Sequence, residues 1–84
     1  MTATMRDDEI LSRLNGIFRD VLDDDEIALT PATVADDVDG WDSLAHVRLM
    51  LTVERSFGVK FTAAEIGRMK NVGDLVALLL TRAP

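Results

Sequence analysis

Apolar residues at Ile10, Leu11, Leu14, Ile17, Phe18, Val21 and Leu22 recur every three or four positions, the period of one face of an α-helix and not of a strand. Thr4 or Asp7 is expected to cap the start of this first helix, with Asp8 and Glu9 placed where the positive end of the helix dipole favours acids. The acidic run "DDDE" and the Thr30–Pro31 pair end it. Residues 23–42 show no period and read as a loop that is long for so small a domain, the kind of segment that tends to be functional or mobile. Gly40 breaks the chain before Trp41, Asp42 is a suitable N-cap, and a second helix is predicted from Ser43 to about Phe57, stopped by Gly58. Thr62 and Glu65 form a capping box, with Phe61 and Ile66 at the two positions of a hydrophobic staple, so a short third helix follows. Asn71 caps a fourth, in which Val72, Leu75, Val76, Leu79 and Leu80 share a face. With no internal repeat and no credible strand pair, the predicted fold is all-α: a small four-helix bundle with a short third helix and a long loop between the first two.

On a wheel of about 100° per residue the second helix separates into two apolar stripes. Leu49, Met50, Val53 and Phe57 make one, joined by His46; Leu44, Val47 and Leu51 make the other, bordered by Arg48, Glu54 and Arg55. A bundle core needs one stripe. The second is either buried because this helix lies centrally among the others, or exposed as a surface for partners. The charged border favours exposure, since buried Arg48, Glu54 and Arg55 would each need a paired, costly environment.

Length and charge narrow the function. Eighty-four residues, 48% of them hydrophobic, suffice for a single domain spanning 1–84 with a core at about 7–81, and leave little room for a deep active site. There is no cysteine, hence no disulfide framework and no thiolate nucleophile. The longest apolar run, "LVALLL", is too short to span a bilayer, and the amino terminus does not read as a secretory signal. A soluble, cytoplasmic monomer with no membrane partner is the expectation. A net charge of −6 also disfavours nucleic acid, which is held by clustered Lys and Arg. The acids are unevenly placed: nine of them, and no base, lie from Asp20 to Asp42. Such a run is either a solvated loop or a negative field that attracts a basic partner towards Ser43.

Three chemistries are conceivable around that serine. Ser43 as a nucleophile with His46 as its base, oriented by Asp39 or Asp42, lacks a glycine-rich oxyanion element, and His46 falls on the core stripe. A calcium loop built on Asp37, Asp39 and Gly40 fails at both ends, where Ala35 and His46 stand in place of ligands, so no metal site is assigned. The third is that Ser43 is acted upon: a hydroxyl in the first turn of a helix meets solvent, and a phosphodiester made there faces free backbone N–H groups. Serine is also common at helix starts for purely structural reasons.

The stretch "GWDSLAHVRLMLTVERSFGVKFTAAEI" resembles the central segment of the acyl carrier proteins, discrete type, whose hallmark Asp-Ser-Leu at the start of the second helix is matched by Asp42, Ser43 and Leu44. The likeness runs from about Ile10 to Leu80, and includes Val47, Leu51, Glu54, Phe57 and the short third helix. It implies a non-catalytic carrier whose Ser43 receives 4′-phosphopantetheine from coenzyme A, through a Mg²⁺-dependent phosphopantetheinyl transferase that supplies the catalytic groups. It further implies that acyl-loading and acyl-processing enzymes are the partners, that acyl groups are held as thioesters, and that Leu44, Val47 and Leu51, with Arg48, Glu54 and Arg55 around them, form the docking surface.

The chain departs from that pattern at three places. Ala45 and Arg48 stand where fatty-acid carriers usually show acids, Arg55 follows, and Trp41 replaces an aliphatic residue. From Asp42 to Phe57 two acids and two bases cancel. These departures point to polyketide, fatty-acid-like or other specialised acyl biosynthesis. Aminoacyl and peptidyl carrier proteins share the bundle but place a second glycine before the serine, where this chain has Trp41 and Asp42. An unmodified helical adaptor is the remaining alternative.

Overall fold

A computed structural model of the chain describes residues 6–82. Four helices carry it: α1 (Asp7–Leu22), α2 (Ser43–Phe57), α3 (Ala63–Arg68) and α4 (Val72–Arg82), with a 3₁₀ turn at Ala35–Asp37 inside the long loop. No strand occurs among the described residues, and none of the helices is long and apolar enough to cross a membrane. α1 packs against both α2 and α4.

α1 starts one residue earlier than an Asp7 cap would place it. Arg6 holds the extended N-cap position, Asp7 is already helical, and the Glu9 carboxylate reaches back to accept the Arg6 N–H at 3.4 Å. Thr4 lies outside the described residues. At the other end Asp23 adopts φ 52°, a left-handed cap more often made by glycine, and its N–H donates to the Arg19 carbonyl. α2 begins and ends as its sequence signals: Asp42 caps it and Gly58, at φ 68°, closes it.

The core is drawn from one face of each long helix: Ile10, Leu14 and Phe18 from α1, Leu49, Met50, Val53 and Phe57 from α2, and Val72, Leu75, Val76 and Leu79 from α4. Burying each such side chain contributes about 1.5–3 kcal/mol. The loop adds Ile27 and Leu29, both buried, which the absence of a period had concealed. Two polar groups of α1 hold them down: Asn15 Oδ1 accepts the Leu29 N–H at 2.7 Å, and Arg19 Nε donates to the Ile27 carbonyl at 2.7 Å.

The same loop then finishes α4. The carbonyls of Pro31 and Thr33 accept the N–H groups of Gly73 and Val72 at 2.8 and 2.9 Å, and Asn71 Oδ1 accepts that of Asp74, so the orphan donors of a helix start are met. This close approach is why residue 73 is glycine: a Cβ there would stand 2.9 Å from the Pro31 oxygen. Gly16 is different. Nothing lies within 4 Å of where its Cβ would be, so close packing does not explain it.

α3 carries the predicted capping box, with the Glu65 N–H donating to Thr62 Oγ1 at 3.1 Å and the Thr62 N–H to Glu65 Oε1 at 2.9 Å. Phe61 and Ile66 pack against the core on either side of it. The Arg82 guanidinium from the end of α4 grips both Glu65 oxygens and donates to the Lys60 carbonyl at 3.0 Å. Chiefly through that hydrogen-bonded guanidinium, the Glu65 pKa falls from 4.5 to about 2.

Candidate functional site

The capping of α2 fixes where Ser43 stands. Asp42 has extended backbone, its Oδ1 accepts the Ala45 N–H at 2.8 Å, and its carbonyl accepts the His46 N–H at 2.8 Å. Ser43 is therefore the first helical residue, exposed, with its own N–H and that of Leu44 in the part of the helix that has no internal acceptor. The hydroxyl needs no role in capping because Asp42 supplies it.

The histidine three residues on is not its base. Trp41 Nε1 donates to His46 Nδ1 at 3.1 Å, which leaves the proton of the neutral ring on Nε2, and Nε2 lies 3.4 Å from the Ile66 carbonyl of α3. Both nitrogens are thus engaged away from Ser43. The two rings stack at 6.0 Å with 22° between their planes, and Trp41 meets Phe18 edge-on at 4.8 Å. His46 is half-buried as a bridge between helices, which refines its placement on the core stripe.

Beside Ser43 opens a groove of about 510 Å³ between α2, α3, the start of α4 and the 3₁₀ turn. Met50, Val72 and Leu75 form its buried floor, while Asp36, Asp42, Lys70 and Asn71 stand around it. No three His, Asp or Glu side chains converge as metal ligands among the described residues.

The second stripe of α2 is open. Leu44, Val47 and Leu51 are 74%, 53% and 49% exposed, while the first stripe is buried, so the reading in which both stripes are covered does not hold within this chain. Arg48 and Arg55 are exposed beside them. Glu54 is only half-buried in solvent-facing terms: its Oε2 accepts the Phe61 N–H at 2.7 Å and so anchors the approach to α3. Leu44 projects beside Ser43 but does not line the groove, whereas Asp42 does. Sequence reasoning missed the Trp41–His46 bond and the contribution of Lys70 and Asn71 to the groove. A five-residue spacing across a helix start was the one available signal for the first; the others depend on how the chain returns after α3.

A primary hydroxyl that is exposed, lacks a base and sits at a helix start beside a groove is fitted to receive a group, and not to attack a substrate. The sequence family described as "Phosphopantetheine attachment site" matches residues 12–79. An acyl carrier protein of Thermotoga maritima is 37% identical over 73 residues, covering 86% of this chain and 89% of its own. The acyl carrier protein MbtL of Mycolicibacterium paratuberculosis is 38% identical over 80 residues, covering 94% of this chain and 89% of its own. The solution structure of a holo acyl carrier protein from Geobacter metallireducens superposes with a TM-score of 0.82 at 45% identity, over 87% of this chain and 84% of that one.

Proposed function

The chain belongs to the acyl carrier protein family, whose prosthetic group is 4′-phosphopantetheine, and from that membership we propose that Ser43 is the residue that carries the group. As a member it is a non-catalytic carrier, modified by a phosphopantetheinyl transferase and used by acyl-processing enzymes. When attached, the group supplies a terminal thiol that holds acyl cargo as a thioester.

The observation that carries the assignment to Ser43 is its exposed hydroxyl in the first turn of α2, with the capping duty taken by Asp42 and the imidazole of His46 tied elsewhere. Asp42 orients the turn, and the uncommitted N–H groups at the helix start favour a phosphodiester there. The serine needs no base of its own because the transferase brings one. Leu44, Val47 and Leu51 form the apolar centre of the docking surface, and Arg48 and Arg55 select among partners by charge. An apolar patch this small suits contacts that must be made and released in turn.

The balanced charge from Asp42 to Phe57 supports specialised acyl biosynthesis of the polyketide or fatty-acid-like kind over general fatty-acid supply. We read residues 1–84 as a single cytoplasmic, monomeric carrier domain. The test is intact mass after incubation with coenzyme A, Mg²⁺ and a broad-specificity phosphopantetheinyl transferase. Addition of one phosphopantetheine to the parent and none to Ser43→Ala is the expected result; an unmodified, folded parent overturns the assignment.

A further inference from the structure

The groove beside Ser43 is apolar at its floor, and His46 lines it between Ser43 and Met50. Ser43, His46 and Met50 follow one another along a single face of α2, at the spacing of successive helical turns, and all three line the groove. A chain attached at Ser43 therefore meets the imidazole of His46 before it reaches Met50. That ring is held from both sides, by Trp41 Nε1 at 3.1 Å and by the Ile66 carbonyl of α3 at 3.4 Å. Trp41 is fixed in turn by its edge-on contact with Phe18, which is fully buried.

We propose that Trp41, His46 and the Ile66 carbonyl form a latch across the groove, with His46 the determinant of the shortest acyl chain that the groove shelters. The proposal rests on Ser43 as the attachment point. Moving the ring aside gives up two hydrogen bonds, the second of them long. The net worth of one hydrogen bond is about that of burying one methylene. Short chains thus gain too little to open the latch, and chains about two methylenes longer than an unlatched groove requires begin to open it.

The test loads parent, His46→Ala and Trp41→Phe with straight-chain acyl-phosphopantetheines from acetyl to decanoyl, each confirmed by intact mass. The rate of thioester cleavage by hydroxylamine is then followed against chain length. Phe at 41 keeps a ring against Phe18 and removes the donor while His46 stays in place, so it separates the bond from the space His46 fills. The onset of protection is expected to move to chains shorter by about two methylenes in His46→Ala and by about one in Trp41→Phe. An onset that moves in His46→Ala alone assigns the effect to space and overturns the latch, as does an unchanged onset in both variants or no protection at any length. Trp41 is the only tryptophan in the chain, so its emission before loading is a second readout. Emission unaltered by His46→Ala shows that the indole has no such partner and also overturns the latch. A parent that gains no mass refutes the attachment at Ser43, a failure distinct from an unmoved threshold.

Discussion

Two glycines in helices answer to opposite demands. At Gly73 a methyl group would press on the Pro31 oxygen at 2.9 Å, in the turn where the loop caps α4. Gly73→Ala is expected to destabilise the fold by about 1–3 kcal/mol, as overpacking does, measured by urea denaturation. Gly16 has open space around it and lies mid-helix, so Gly16→Ala is expected to stabilise by about 0.5–1 kcal/mol through helix propensity. A loss of stability at 16, or none at 73, contradicts this packing. Residue identity alone does not separate these two glycines, because the difference lies in what a distant loop places beside each. Ser43, Asp42 and Gly58 were legible because their reasons are local: a cap, a first turn, a left-handed stop.

Among the elements, α3 depends most on a single polar tie. Its six residues bury little, and the capping box together with the Arg82–Glu65 pair fixes it to α4. The Glu65 pKa lies at about 2 in the fold against an ordinary 4.5. A lowered carboxylate pKa contributes stability that is fully present above 4.5 and is lost as pH falls to about 2. The stability difference between parent and Arg82→Ala is therefore expected to be constant above pH 4.5 and to shrink between pH 4.5 and about 2, as read by thermal unfolding across that range. A difference independent of pH down to 2 contradicts the pairing. All four helices were readable from period and caps, since helix signals lie within a few residues of one another. The loop was not: Ile27 and Leu29 are buried through Asn15 and Arg19, side chains on another element. The groove was hidden for the same reason, being made where α2, α3 and α4 meet.

Taken whole, the molecule sets a strongly acidic loop on one side of Ser43 and a mixed-charge helix on the other. The acidic side would attract a basic partner towards the serine at a distance, and Leu44, Val47 and Leu51 stand exposed beside it. Arg48→Glu with Arg55→Glu is expected to leave folding within about 1 kcal/mol and to change turnover with at least one cognate acyl-processing enzyme. Unchanged turnover with all of them removes the charge of α2 from partner choice. The chain also offers an internal control for attachment at Ser43, since Ser12, Ser43 and Ser56 are all exposed. Ser12 lies within α1, and Ser56, near the end of α2, accepts a hydrogen bond from Arg13 at 2.8 Å. The most direct measurement is tandem mass spectrometry of peptides from the transferase-treated protein. The phosphopantetheine mass is expected on Ser43 alone; its appearance on Ser12 or Ser56, or on no serine of the folded protein, would overturn the attachment at Ser43.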